Sequence, residues 1–248
     1  MLPPLDGTLA FILATFLLAG FVKGVIGLGL PTISVGLLSL VMPPAQAAAI
    51  LIVPSFLTNV WQMAGPGLRG VARRLATMMI GICAGTFLGA GLIVEAGGRQ
   101  AAAALGLALV AYAVVGLTGV RLAVAPRREP WLSPLVGAAT GLITGATGIF
   151  VIPAVPYLQA LGLDKDELVQ ALGLSFLVST IALGLSLSSS GTFAAGLAGT
   201  SLLALAPALA GMAIGQAARA RIGAARFRRW FFLGLMLLGG HLVLRGLS

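Results

Sequence analysis

Apolar positions fill eight long stretches of the chain, near residues 8–42, 46–64, 75–95, 100–123, 131–163, 168–189, 192–218 and 230–247, and charged residues fall almost wholly between them. Six of these stretches have the length of one membrane-spanning helix, which takes about 20 apolar residues. The other two, 8–42 and 131–163, are too long for a single crossing. Glycine and proline interrupt both, at "GVIGLGLP" and "GATGIFVIP", dividing each into two pieces shorter than a full span. A broken helix and a helical hairpin both fit that pattern.

Lysine and arginine gather in the short loops on the cytoplasmic side of membrane proteins, whereas Asp and Glu report little. If 131–163 crossed once, the basic loop residues would divide evenly, seven against seven. If it enters and returns, Arg69, Arg73, Arg74, Arg121, Arg127, Arg128, Lys165, Arg219, Arg221, Arg226, Arg228 and Arg229 share one side, and only Arg99 and Arg245 face the other. The asymmetry favours the hairpin. It also puts the acidic run Asp164 to Glu167 in the cytoplasm, which the rule tolerates without explaining.

Treating 8–42 likewise gives each half of the chain an odd number of passes, so the second half lies upside down relative to the first. The sequence itself repeats. Gly20, Gly24 and Gly27 have the spacing of Gly141, Gly145 and Gly148; Pro31 and Pro153 follow; Ser55-Phe56 then matches Ser175-Phe176. Paired Gly/Pro-interrupted segments are a pointer to a transporter's central site. The expected fold is all-α: a polytopic helical membrane protein of two inverted repeats, residues 1–124 and 125–248, each a Gly/Pro-broken helical hairpin followed by three spanning helices.

Composition narrows the function. With 59% hydrophobic and 8% charged residues, the chain is far more apolar than a soluble domain. No loop is long enough for a separate soluble domain, and chemistry outside the bilayer is not expected. The net charge of +9 is spread over loop arginines that report orientation, so nucleic acid is not an expected partner. Cys83 cannot form an intrachain disulfide and reads as a small core residue; no basic residue precedes the first apolar run, so a cleaved secretory signal is not expected. His241 is the sole histidine and reads as a packing or interface residue; no metal and no cofactor are expected. Ser55 and Ser175 lack a placed base, which argues against an intramembrane enzyme.

At "GVIGLGLPTISVGLL" with "PPAQAAAILIVPSFLTN", and at "GLITGATGIFVIPAV" with "LVQALGLSFLVST", the chain resembles the TauE/SafE family of sulfite and organosulfonate exporters. It departs from the family pattern where "GIF" stands in place of consecutive glycines. The resemblance extends over essentially the whole chain. It implies a permease for a small anion such as sulfite, sulfoacetate or a related sulfonate, in a bacterial inner membrane. A permease for another small anion or carboxylate, or a proton-coupled importer, is the alternative. Homo-oligomerisation stays open.

Backbone that leaves a helix inside the bilayer must be buried in protein or line a cavity. Helices restarting after Gly24, Gly27 and Gly29, and after Gly145 and Gly148, would present N-terminal amides to an anion, with two such ends facing across one site. Lys23 immediately precedes this break with no acidic residue nearby in sequence, so an anion is its expected counter-charge, interfacial snorkelling being the competing account. Thr144 is its counterpart in the second half. Ser55, Thr58, Asn59 and Gln62, with Ser175, Ser179 and Thr180, supply further donors at helical spacing; Thr147 and Gln170 belong to the same class. The carboxylates lie at ends or in loops, so a carboxylate proton relay is not expected.

Overall fold

A computed structural model describes residues 7–95, 98–119, 123–191 and 195–247; Asp6, Arg121 and the side chain of Glu95 lie outside the described residues. Those residues form eleven helices and no strand. Helices α1 (Gly7–Ile26) and α2 (Leu30–Leu38) make the first broken pair. They are followed by α3 (Pro44–Met63), the short α4 (Leu68–Arg74), α5 (Ala76–Glu95) and α6 (Gly98–Thr118). The second half holds α7 (Glu129–Thr147), α8 (Ala154–Ala160), α9 (Lys165–Ser189), α10 (Ala195–Ala218) and α11 (Ala224–Leu247), with no short helix in the place of α4 among the described residues.

Six helices, α1, α3, α6, α9, α10 and α11, are long and apolar enough to cross a bilayer. Helix α5 joins them when counted with α4, from which it bends by 64°. Helix α7 is nearly as long but more polar, carrying Ser133, Thr140, Thr144 and Thr147.

Glycine decides both where chains break and where helices meet. At Gly27, φ is 80°, and at Gly148 it is 75°. L side chains are strained in that region, so glycine lets α1 and α7 stop there. Gly20 and Gly24 leave α1 helical and instead bring it against α10. A Cβ on Gly20 would sit 2.1 Å from the Ala208 carbonyl oxygen, and one on Gly24 2.3 Å from that of Met212. Gly141 and Gly145 do the same on α7, against Ile82 and Thr86 of α5. Small residues permit such close backbone contact in membranes, where packing has to replace the hydrophobic drive. The expected division into two sub-span pieces therefore fails for the leading arms: α1 has 20 residues and α7 has 19, while α2 and α8 have 9 and 7. Gly20 and Gly24 within α1, and Gly137, Gly141 and Gly145 within α7, face neighbouring backbone and do not interrupt the helices.

The same contacts give direction. Partners advance together along α1 and α10, and along α5 and α7, so both pairs are parallel. Gly106 lies beside Gly239, and Gly246 beside Arg99, so α6 and α11 are antiparallel. Helices α3 and α9 cross antiparallel: Ser55 meets Thr180, and Gly173 meets Gln62 and Met63.

The 131–163 segment enters and returns. Arg74 donates to both carboxylate oxygens of Glu129, at 2.7 and 2.8 Å, and to the Leu161 carbonyl at 3.2 Å, clamping the start of α7 to the end of α8. The carboxylate raises the Arg74 pKa further above its ordinary value, against a smaller desolvation effect. Trp61, Trp131 and Trp230 are all exposed near this arginine-rich end, as anchors at a headgroup layer would be. Arg99 and Arg245 share a cavity at the opposite end of the α6/α11 pair.

The acidic run has a local explanation. Asp164 caps α9, its carboxylate accepting from the backbone N–H groups of Asp166 and Glu167 at 2.9 and 2.8 Å, while Glu167 accepts from the Asp164 N–H at 3.3 Å. This reciprocal box satisfies amides that the first turn leaves without partners. Cys83 is partly exposed on α5 and does not belong to the core.

Candidate functional site

Pro54 lies inside α3 and has no N–H, which leaves the Ile50 carbonyl without its usual donor. Ser201 of α10 supplies one at 2.7 Å, and its hydroxyl also accepts from the Val53 N–H at 3.1 Å. The irregularity is thus tied down just before Ser55, Thr58 and Asn59, three buried polar residues at the crossing with α9.

Lys23 comes to this crossing from α1. It is 4% exposed, which rules out snorkelling to an interface. Its ammonium donates to the Thr58 hydroxyl at 3.0 Å and to the side-chain oxygen of Asn59. A lysine ammonium only donates, so the Asn59 oxygen must face it and the Asn59 amide nitrogen must face away. That nitrogen donates to Ser55 Oγ at 3.0 Å, and Ser55 lies 2.9 Å from Thr180 Oγ1. Thr180 spends its own proton on the Phe176 carbonyl at 2.6 Å, so Ser55 is the donor between them. Donors therefore run in one direction, from Lys23 through Asn59, Ser55 and Thr180 to the backbone of α9, linking the two halves of the chain. No carboxylate among the described residues touches the ammonium.

The other expected site residues divide into groups. Gly27 and Gly29 form the first break, where Gln62 donates to the Gly27 carbonyl at 3.1 Å. Gly148 forms the second break, beside Ala48. Gln62 and Ala48 are 14 positions apart on α3, about 21 Å at 1.5 Å per residue. The two breaks thus sit toward opposite ends of α3, and the structure does not bring their restarting helices face to face. Ile149, Phe150 and Val151 are fully buried at the second break, with Phe150 packed on Phe176 at 5.4 Å between ring centroids. Gly24 and Gly145 face neighbouring helices, as described above. Thr144 and Thr147 donate to carbonyls one turn back in α7, at 2.7 and 2.6 Å.

Ser175 and Ser179 are different. Both are fully buried, one turn apart on α9, and neither hydroxyl has a hydrogen-bond partner among the described residues. Ser179 adjoins Thr180, where the chain of donors ends. Leaving a buried hydroxyl without a partner costs about 1–3 kcal/mol, which a ligand offering acceptors would recover. Gln170 sits against Gly65 and Gly67, away from the crossing.

Sequence reasoning found the members of this network but missed one support, Ser201. A proline inside a helix was the available signal for it, because proline leaves a carbonyl that requires a donor from elsewhere.

The family model described as "Sulfite exporter TauE/SafE" matches residues 12–242. No curated protein and no solved structure matches the chain.

Proposed function

Since this chain belongs to the sulfite exporter TauE/SafE family, whose members are membrane transporters and not enzymes, we propose that it carries a small sulfur oxoanion or organosulfonate out of the cell, past Lys23. One observation carries this reading: a buried ammonium at the α3/α9 crossing, held only by neutral acceptors. A charge at membrane depth costs about 3 kcal/mol on insertion scales. Thr58 and Asn59 take up two of its three protons, and an oxoanion supplies the missing charge. Ser175 and Ser179 offer two further hydroxyls beside the same crossing, which suits an oxoanion that needs donors from several directions.

The rest of the site is read from the same pattern. Residues 1–124 and 125–248 form inverted repeats, supported by the antiparallel course of α3 against α9 and of α6 against α11, which hold equivalent places in the two halves. The arginine-rich end faces the cytoplasm of a bacterial cell. Gly27, Gly29 and Gly148 serve as the pivots of alternating access. Gly24, Gly145, Thr144 and Thr147 hold the arms that move. Export gains from the membrane potential, since one negative charge leaving a negative interior releases about 2.3 kcal/mol per 100 mV.

Flux in proteoliposomes tests the proposal. Sulfite and sulfoacetate efflux should rise with an inside-negative potential and fall by about tenfold or more in Lys23→Met, which keeps the length of the side chain. Flux that ignores the substitution would overturn the role of Lys23. Flux of neither anion would overturn the substrate class.

A further inference from the structure

Helices α10 and α11 are joined by the turn 219–223, and five arginines fall on or just after it: Arg219, Arg221, Arg226, Arg228 and Arg229. All five are exposed, and none takes part in an ion pair among the described residues. Part of this cluster runs against the helix dipole. The start of a helix favours carboxylates and disfavours cations, and α9 follows that rule with Asp164, Asp166 and Glu167. Helix α11 has no acidic residue in its first turn and puts Arg226 there, with Arg228 and Arg229 in the next. Orientation in the membrane requires basic residues on this side, but not at the unfavourable end of a helix. A bound anion offsets the cost.

Arg226, Arg229 and Trp230 stand at i, i+3 and i+4, on one exposed face of α11. Phe227 and Phe231 hold another flank against the bundle. Phe227 meets Phe21 of α1 edge-on at 6.0 Å between ring centroids, and Phe231 packs beside Gly29 at the first break. These contacts turn the Arg226, Arg229 and Trp230 stripe outward, at the depth where an exposed tryptophan sits among headgroups.

We propose that this stripe, with Arg219 and Arg221 of the adjoining turn, binds the phosphate of an anionic phospholipid. The planar fork of arginine matches a phosphodiester with two parallel hydrogen bonds, and basic clusters just cytoplasmic of a spanning helix attract anionic lipid. Trp230 gives the ligand an apolar neighbour at the same depth, which suits a lipid and not a dissolved phosphate. A zwitterionic headgroup brings its own cation and leaves the arginines uncompensated. Through Phe227 and Phe231 the lipid-bound segment touches α1 and the first break. An effect on transport rests on the permease reading. Lipid selection does not, so selection is what the experiment measures.

Trp61→Phe and Trp131→Phe leave Trp230 as the sole tryptophan. The full chain with these two changes is placed in bilayers of phosphatidylcholine and phosphatidylglycerol, with one lipid brominated at a time, so that quenching of Trp230 reports which lipid lies beside it. Phosphatidylglycerol should be preferred about fivefold or more at low salt, the attraction of about one arginine to an anionic surface. The preference should fall to near unity in Arg226→Gln/Arg229→Gln and persist in Arg226→Lys/Arg229→Lys. Arg69→Gln/Arg73→Gln removes two exposed arginines of α4 at the same end and should leave it unchanged. Equal quenching by the two brominated lipids before any arginine is changed would overturn the proposal and return the cluster to orientation or to a soluble acidic partner. A preference that survives Arg226→Gln/Arg229→Gln, or falls equally in Arg69→Gln/Arg73→Gln, would also overturn it, since it would reflect the general charge of this end. Selection that follows the expected pattern in a protein that carries neither sulfite nor sulfoacetate would uphold the lipid site and reject the substrate class proposed above.

Discussion

Lys23 of α1 and Asn59 of α3, 36 positions apart in sequence, are joined side chain to side chain in the middle of the bundle. The amide is a neutral acceptor that leaves the ammonium's charge unspent. Replacing it with a carboxylate would spend that charge inside the protein. Asn59→Asp should therefore fold, and should raise the apparent KM for anion efflux by about tenfold or more, as expected when an opposite charge sits within about 4–6 Å. Efflux kinetics against substrate concentration check this; an unchanged KM would mean that the transported anion does not meet Lys23.

The Ser55 to Thr180 hydrogen bond at 2.9 Å ties the halves together at the α3/α9 crossing. A double-mutant cycle of Ser55→Ala and Thr180→Val, read by thermal unfolding in detergent, should give a coupling of about 0.5–1.5 kcal/mol. Additive losses would show that the contact contributes no more than its separate environments.

Ser175 and Ser179 give a prediction of opposite sign for stability and transport. Each hydroxyl is buried without a partner, so Ser175→Ala and Ser179→Ala should leave the melting temperature unchanged or slightly raised. Efflux should nonetheless fall in both. Intact efflux in the double variant would remove these hydroxyls from the anion's path.

Gly141 packs where a Cβ would lie 2.2 Å from the Ile82 carbonyl oxygen. Gly141→Val should force α7 from α5 and cost about 1–3 kcal/mol. At Gly27 a Cβ meets nothing within 4 Å, but φ is 80°. Gly27→Ala should cost about 1–2 kcal/mol, from backbone strain alone. Comparing the unfolding of both variants with Gly70→Ala, whose Cβ also meets nothing within 4 Å, tests the two mechanisms.

Much of this arrangement is legible from residue order. The apolar runs mark the spans because lipid leaves the backbone no partner but itself, and the uneven distribution of arginine marks the hairpin. Lys23 stands out because its charge is rare at that depth. Which glycines break a helix is not legible, since Gly24 and Gly27 look alike until a neighbouring backbone occupies the space beside one and leaves the other open. The separation of the two breaks is hidden for the same reason: it depends on how α2 and α8 fold back, which short-range patterns do not encode. Asp164 followed three places later by Glu167 is legible as a helix cap, a signal that belongs to hydrogen bonding and not to charge.

The glycine ridge of α1 has its mate at Ala208 to Gln216, near the far end of the chain, whereas α7 emerges to find α5 already made. During synthesis the first helix must therefore remain in the bilayer with its ridge facing lipid until nearly all the protein has been inserted. That interval exposes α1 to other membrane helices bearing small-residue faces. Nascent chains halted before residue 208 should be the forms that quality-control proteases recognise.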